Sequence, residues 1–244
     1  MKKDFENYLR NHLNKQGTTG DAIMKSVEDS LTPYILEERE LRVTQMDVFS
    51  RLMRDRIIWA ASPIDDHMSS VVQAQLMYLD SVSNKDIIMH VDSPGGSVKS
   101  GLSIIDVMNY IKSDVSTINT GMAASMGSVL LSSGTKGKRS SLRFSKVMIH
   151  QVSHGYQGNV QDTRIDQLEA EKYNYLLFKL LAENCGKTLD EVLEHARRDK
   201  WFDSDDALKF GLIDEIIGVN EHPTMSKLME GFDDFYKKEI LKGI

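Results

Sequence analysis

The chain of 244 residues has a single cysteine, Cys185, so disulfides within it cannot hold the fold and a reducing compartment is expected. It has no apolar run approaching the roughly 20 residues needed to span a bilayer, which argues against a membrane helix. Positive charge is scarce: 30 lysines and arginines against 36 acids give a formal net charge of −6. Nucleic acid is therefore not expected as the main partner. No GxxxxGK[ST] phosphate loop, internal repeat or low-complexity tract is present. The first residues, MKKDFENYLRNHL, carry two lysines with no apolar core behind them and do not read as a secretory signal. A cytoplasmic location is expected. With 41% hydrophobic and 27% charged residues, the chain suits a globular protein able to bury a substantial core.

Residues 1–31 stand apart. DFENYLRNHLNKQG places Phe5, Leu9 and Leu13 at helical spacing and stops at Gly17, and TTGDAIMKSVEDS is compatible with a second short helix. An extension or propeptide is the expectation. Residues 32–47, including PYILEERELRVTQMD, have no clear period and read as an extended arm or loop. DVFSRLMRDRIIWA then reads as a helix running into a strand.

The centre alternates. HMSSVVQAQLMYLDSV has helical period, KDIIMHVD is a strand, SPGGSV a turn and SGLSIIDVMNYIKS a helix. VSTINT is a strand, ASMGSVLLSSG opens a helix and SKVMIH is a strand. Such alternation implies crossover connections and a mainly parallel sheet, an α/β fold. QDTRIDQLEAEKYNYLLFKLLAENCGK is a long helix, followed by two shorter ones and a final strand, LIDEII. The tail, 219–244, is charged and is assigned no fold.

In α/β sheets, functional groups gather where strands end and helices begin. VDSPGGSVKSG is one such junction. Pro94 fixes a turn dihedral, Gly95 and Gly96 permit unusual ones, and the exposed amides suit an anion or an extended peptide. GMAASMGS is the other: it surrounds Ser125 with small residues, clearance that an approaching acyl group would need. Were Ser125 in the first turn of a helix, its own N–H and that of Met126 would point outward unpaired, and the helix dipole would favour negative charge there. A small-residue helix start packed under the sheet would look the same.

A serine hydroxyl needs a base. His150 ends the strand SKVMIH, and His154 is a rival in SHGYQG. His90, on a strand, reads as structural. A carboxylate should orient the base. Asp199 lies before an aromatic pair able to bury it, with Asp205, Asp206 and Asp214 as competitors; composition does not choose among them.

Taken together, DVFSRLMRDRII, SPGGSV, GMAASMGS, GKR, VMIHQ, GYQG, RRDKWF and ALKFGLIDEII resemble, in order, the proteolytic subunits of the Clp protease (ClpP) family. They cover roughly residues 32–217. The resemblance implies a ClpP/crotonase-like fold with a mainly parallel sheet, flanking helices and a protruding handle at about 152–186, within a peptidase domain over 48–218. It implies a serine endopeptidase with Ser125 as nucleophile, His150 as base and Asp199 as third member, using no metal or cofactor. Gly96 and Met126 match the oxyanion amides, with substrate added as a strand along Gly96, Ser97 and Val98. Arg198 matches an arginine linking ring assembly to the active site. The resemblance further implies two stacked seven-membered rings, homomeric or mixed, with 32–47 as axial entrance, and unfolded substrates fed by an AAA+ unfoldase such as ClpX.

Three positions depart from the family near the handle and strand edge: Val152 replaces the usual Pro after His-Gln, His154 a Gly, and LRFSK lacks a Pro. More consequential is the apolar pocket for the unfoldase's loops. His90, Thr120 and Ser140 occupy usually apolar positions beside Ile88, Tyr110 and Leu142. Loss of apolar anchors costs about a kcal/mol or more per site, so weakened docking, an altered chaperone or a mixed ring is expected. Two other classes remain in view. One is a non-cleaving ring subunit; the other is an acyl-CoA enzyme of the related crotonase fold.

Overall fold

The computed structural model describes residues 34–39, 42–153, 155, 158–218 and 222–236, and the chain divides at Asp55 into two compact units. The expected extension at 1–31 and the rival base His154 lie outside the described residues. In the first unit, β1 (Tyr34–Arg39) pairs antiparallel with β2 (Arg42–Asp47), Tyr34 opposite Asp47 and Arg39 opposite Arg42. The arm is thus extended as its sequence suggested, but paired. Its charges interrupt any apolar alternation, so pairing left no period to read. Helix α1 (Val48–Arg54) follows, capped by the Asp47 carboxylate, which accepts the Ser50 N–H at 3.0 Å.

The second unit is built on a mainly parallel sheet. β3 (Ile57–Ala60), β4 (Ile87–Ser93), β5 (Val115–Ala124), β6 (Arg139–Leu142) and β9 (Glu215–Ile217) lie side by side in that order, all parallel. β7 (Lys146–Ile149) pairs parallel with the far end of β5 and antiparallel with β8 (Lys200–Phe202). In β4, Ile87, Met89 and Val91 are fully buried while Ile88 and His90 are half-buried, the period-two pattern of a strand with one well-covered face. Helices α2 (Asp66–Val82) and α3 (Val98–Tyr110) make the crossovers, each started by a side-chain cap: Asp65 accepts the Met68 N–H and Ser97 the Ser100 N–H. α2 buries Met68, Val72, Leu76 and Leu79, one stripe at helical spacing.

β5 forks. Thr117, Ile118 and Asn119 pair with β6, whereas Met122, Ala123 and Ala124 pair with β7. Buried Asn119 stitches the fork: its Nδ2 donates to the Lys146 carbonyl at 3.0 Å and its carbonyl accepts from Ser145 Oγ at 3.0 Å. Beyond it, the Asp92 carboxylate accepts the Met122 N–H at 2.9 Å. Gly121 leaves room for that carboxylate, since a Cβ there would lie 2.7 Å from Asp92 Oδ1.

β6 was not expected. Its RSSL sequence is polar, yet Arg139, Ser140 and Ser141 are buried. Long-range partners make that tolerable, chiefly Asp214 for Arg139, and local sequence does not reveal them. The long helix α5 (Val160–Cys185) starts at Asn159 and ends at Gly186, whose φ of 65° suits a glycine cap. Only its second half is buried, through Leu177, Phe178, Leu181, Ala182 and Cys185. α6 (Leu189–Ala196) and α7 (Ser204–Phe210) complete the body, and the tail, assigned no fold from its sequence, holds short helices α8 (Met225–Leu228) and α9 (Phe232–Phe235). No helix among the described residues is long and apolar enough to cross a membrane.

Candidate active site

Ser125 stands between β5 and helix α4 (Met126–Ser132), with φ 54° and ψ −124°. A non-glycine residue at positive φ costs on the order of 1–3 kcal/mol and persists only where its surroundings impose it. They do so here. The Ser125 N–H donates to the Met148 carbonyl at 2.9 Å, tying the turn to β7. The expectation that this N–H points outward unpaired is therefore corrected: Ser125 continues the β5–β7 pairing before it opens the helix. Packing explains the missing bulk. A Cβ on Gly95 would sit 2.7 Å from Ser125 Cβ and 2.6 Å from the Ala124 carbonyl, and one on Gly127 would lie 3.0 Å from the Ser93 carbonyl.

His150 lies directly after β7. Its Nε2 is 2.8 Å from Ser125 Oγ and its Nδ1 is 3.1 Å from Asp199 Oδ1. Register explains the second contact: β8 pairs Lys200 with Ile149, which sets Asp199 alongside His150. Asp199 is not covered by the following aromatics as expected. Its side chain is 66% exposed, because Phe202 turns into the core while Trp201 is itself 46% exposed. The competing acids are placed elsewhere: Asp214 grips Arg139 and Asp206 reaches Lys209. Cys185 is buried on α5, and burial pushes its thiol up to about 11, which disfavours the nucleophilic thiolate.

Gly96 and Met126 border the space beside Ser125. Ile64, which no local pattern singles out, props the glycine turn by donating to the Gly95 carbonyl and accepting from the Ser97 N–H, both at 2.8 Å. A residue bridged in this parallel manner turns its own N–H and C=O to the opposite side, so those of Gly96 face away from Ile64. Gly96 adopts φ 148°, and a Cβ would lie 2.3 Å from the Ile64 carbonyl. The Met126 N–H, at the first position of α4, has no partner within the helix. Gly96, Met126, Ser125 and His150 line a cavity of about 260 Å³ whose apolar wall includes Met148, Leu177 and Phe178. A second cleft of about 390 Å³ shares Gly96, Val98, Val152 and Ser153 with it. Ser97 caps α3, Val98 lines both spaces, and Arg198 is exposed beside Asp199.

The remaining candidates lie on the other face of the sheet. Alternation and register put Ile88, His90, Thr120, Ser140 and Leu142 on one face, with Ile118 between His90 and Ser140. The His90 ring stacks on Trp59 at 4.5 Å, and burial lowers its pKa. Its Nδ1 is buried with no hydrogen-bond partner among the described residues. Ser140 is 4% exposed, Leu142 38%, and Tyr110, at the end of α3, 79%.

The chain is similar to known proteins over most of its length. A family model described as Clp protease matches residues 39–220. An ATP-dependent Clp protease proteolytic subunit of Bacteroides fragilis is 50% identical over 215 residues, covering 88% of this chain and 98% of that protein. The protein of the same description from Porphyromonas gingivalis is 45% identical over 218 residues, 89% of this chain and 98% of its own. That from Streptococcus pyogenes is 46% identical over 195 residues, 78% and 99% respectively. With its matched region spanning the strained serine, the histidine and the glycine turn, the chain belongs to the Clp protease family.

Proposed function

We propose that the chain is the peptidase subunit of a compartmentalised serine protease, hydrolysing unfolded polypeptides delivered by an ATP-driven partner and short peptides directly. The carrying observation is the line of contacts Asp199–His150–Ser125, which ends in a cavity lined by Gly96 and Met126. His150, holding its proton on Nδ1 toward Asp199, accepts the Ser125 proton at Nε2 as Oγ attacks the scissile carbonyl carbon. The carbonyl oxygen becomes an oxyanion received by the amides of Gly96 and Met126. As the C–N bond breaks, His150 returns the proton to the leaving amine; water then attacks the acyl-serine by the same route, releasing acid and restoring Ser125. Substrate adds as a strand along the Gly96, Ser97 and Val98 edge, which suits an enzyme that reads backbone before side chains.

The relatives' names describe proteolytic subunits of an ATP-dependent protease; for this chain the proposal adds heptameric rings stacked through the handle of α5, with residues 32–47 at the axial entrance. An AAA+ unfoldase such as ClpX would meet the sheet face that carries Ile88 and His90. Polar groups at His90, Thr120 and Ser140 weaken that docking or direct it to a different partner. Arg198, next to Asp199, is the link between assembly and the site.

Ser125→Ala tests the assignment. Cleavage of a fluorogenic peptide and labelling by a fluorophosphonate should both vanish, a loss of at least about 10³-fold. Substantial cleavage by the variant would show that the nucleophile lies elsewhere.

A further inference from the structure

We infer that Asn174 is a positioning residue for His150, holding the wall of the cleft that follows the histidine. The inference rests on the peptidase reading above. β7 ends at Ile149, so Gln151, Val152 and Ser153 run on without a strand partner, with Gln151 and Ser153 exposed. These three residues nevertheless line the cavity that holds Ser125 and His150, and Val152 and Ser153 also line the adjoining cleft. Among the described residues one hydrogen bond ties the segment down: the Val152 N–H donates to Asn174 Oδ1 at 2.9 Å.

Asn174 is well placed to serve as the fixed end. It is half-buried and lines the same cavity, one turn ahead of Leu177 and Phe178, where α5 first buries side chains. Everything on α5 before it lacks a buried residue. The tie therefore anchors an otherwise unpaired segment to the first secured turn of the helix, only two residues from the imidazole. The Nε2–Ser125 and Nδ1–Asp199 contacts both need His150 fixed in place, and a displacement of about 1 Å at such a centre can cost up to 10²-fold in rate. An amide or carboxylate oxygen at 174 can accept this N–H, whereas an aliphatic side chain leaves the wall untethered.

The assembled protein carrying Asn174→Ala should show kcat for a fluorogenic peptide reduced about tenfold, with KM changed less than about threefold. The rate of inactivation by a small fluorophosphonate, which does not need the extended cleft, should fall by the same factor. Asn174→Asp retains the accepting oxygen and should restore both rates to within about threefold of the unmodified protein. Native mass and melting temperature should be unchanged in both variants. An Asn174→Ala protein labelled at the original rate, or an Asp variant as slow as the Ala variant, overturns the assignment. So does a lower native mass accompanying the slower rate, which would make Asn174 an assembly residue. If the unmodified protein neither cleaves nor labels, the peptidase reading fails first; normal labelling of unmodified and Asn174→Ala proteins alike sinks only the role given to Asn174.

Discussion

Arg139 and Asp214 meet twice in the interior, Nη2 to Oδ1 at 2.6 Å and Nε to Oδ2 at 2.8 Å, across 75 residues of chain. The guanidinium side chain is 1% exposed and the carboxylate 16%. Arg139 also donates to the carbonyls of Ser132 and Asn184, and Asp214 accepts the Gly137 N–H. This pair locks β6 against β9, and it removes Asp214 from the catalytic candidates.

The pair predicts an acid-sensitive component of stability. Burial alone would raise the Asp214 pKa, but the hydrogen bonds and charge of Arg139, with the Gly137 amide, outweigh it and hold the carboxyl at about 2. A depressed carboxylate pKa stabilises the fold fully above its ordinary value of 3.8, and that stability is lost as pH falls toward about 2. Asp214→Ala leaves Arg139 buried without its partner and should cost about 3 kcal/mol near neutral pH. Urea unfolding at fixed protein concentration, at pH 7 and at pH 3, measures both effects. The variant should lose less on acidification than the unmodified protein. An equal acid loss in both would show that other carboxylates govern it.

Gly95→Ala tests whether close packing sets the serine's geometry. Gly95 has φ 92°, and a methyl there would come within 2.7 Å of Ser125 Cβ and 3.0 Å of the Met126 nitrogen. Either the turn or the serine must shift, moving nucleophile and oxyanion amide apart. Fluorophosphonate labelling should slow by about 10²-fold or more with the fold retained by circular dichroism. Labelling at the original rate would mean that the amides and hydroxyl tolerate the displacement.

Docking follows from the sheet face around His90. Installing apolar groups by His90→Tyr together with Thr120→Met should strengthen binding of a ClpX-type unfoldase by about tenfold or more, since each buried apolar side chain contributes about 1.5–3 kcal/mol. Biolayer interferometry with the assembled protein reads the change. Tight binding by the unmodified protein, not improved by the pair, would show that these polar positions do not limit docking.

Much of this arrangement was legible in the chain. Ile87, Met89 and Val91 announced a strand, the spacing of Val72, Leu76 and Leu79 a helix, and the placing of Ser125 and His150 at strand ends followed from their alternation. Asp199 was different. Composition does not choose among four acids, the family resemblance points to Asp199, and the antiparallel pairing of β7 with β8 is what brings it to the imidazole. The partner of the Ser125 N–H is hidden for a related reason: its acceptor, the Met148 carbonyl, lies on a distant strand. β6 stayed hidden because polar residues do not signal burial until their distant partners are known.

The divided pairing of β5 has a consequence for how the molecule can vary. Up to Asn119 the strand belongs to the neighbourhood that ends in β9; from Met122 it belongs to the strand that delivers the imidazole. A shift confined to β6 or β9 meets β5 upstream of that parting of ways. The reacting groups hang from the other branch. A lineage can thus remodel one rim of its sheet to suit new company while the hydrolytic apparatus keeps its alignment.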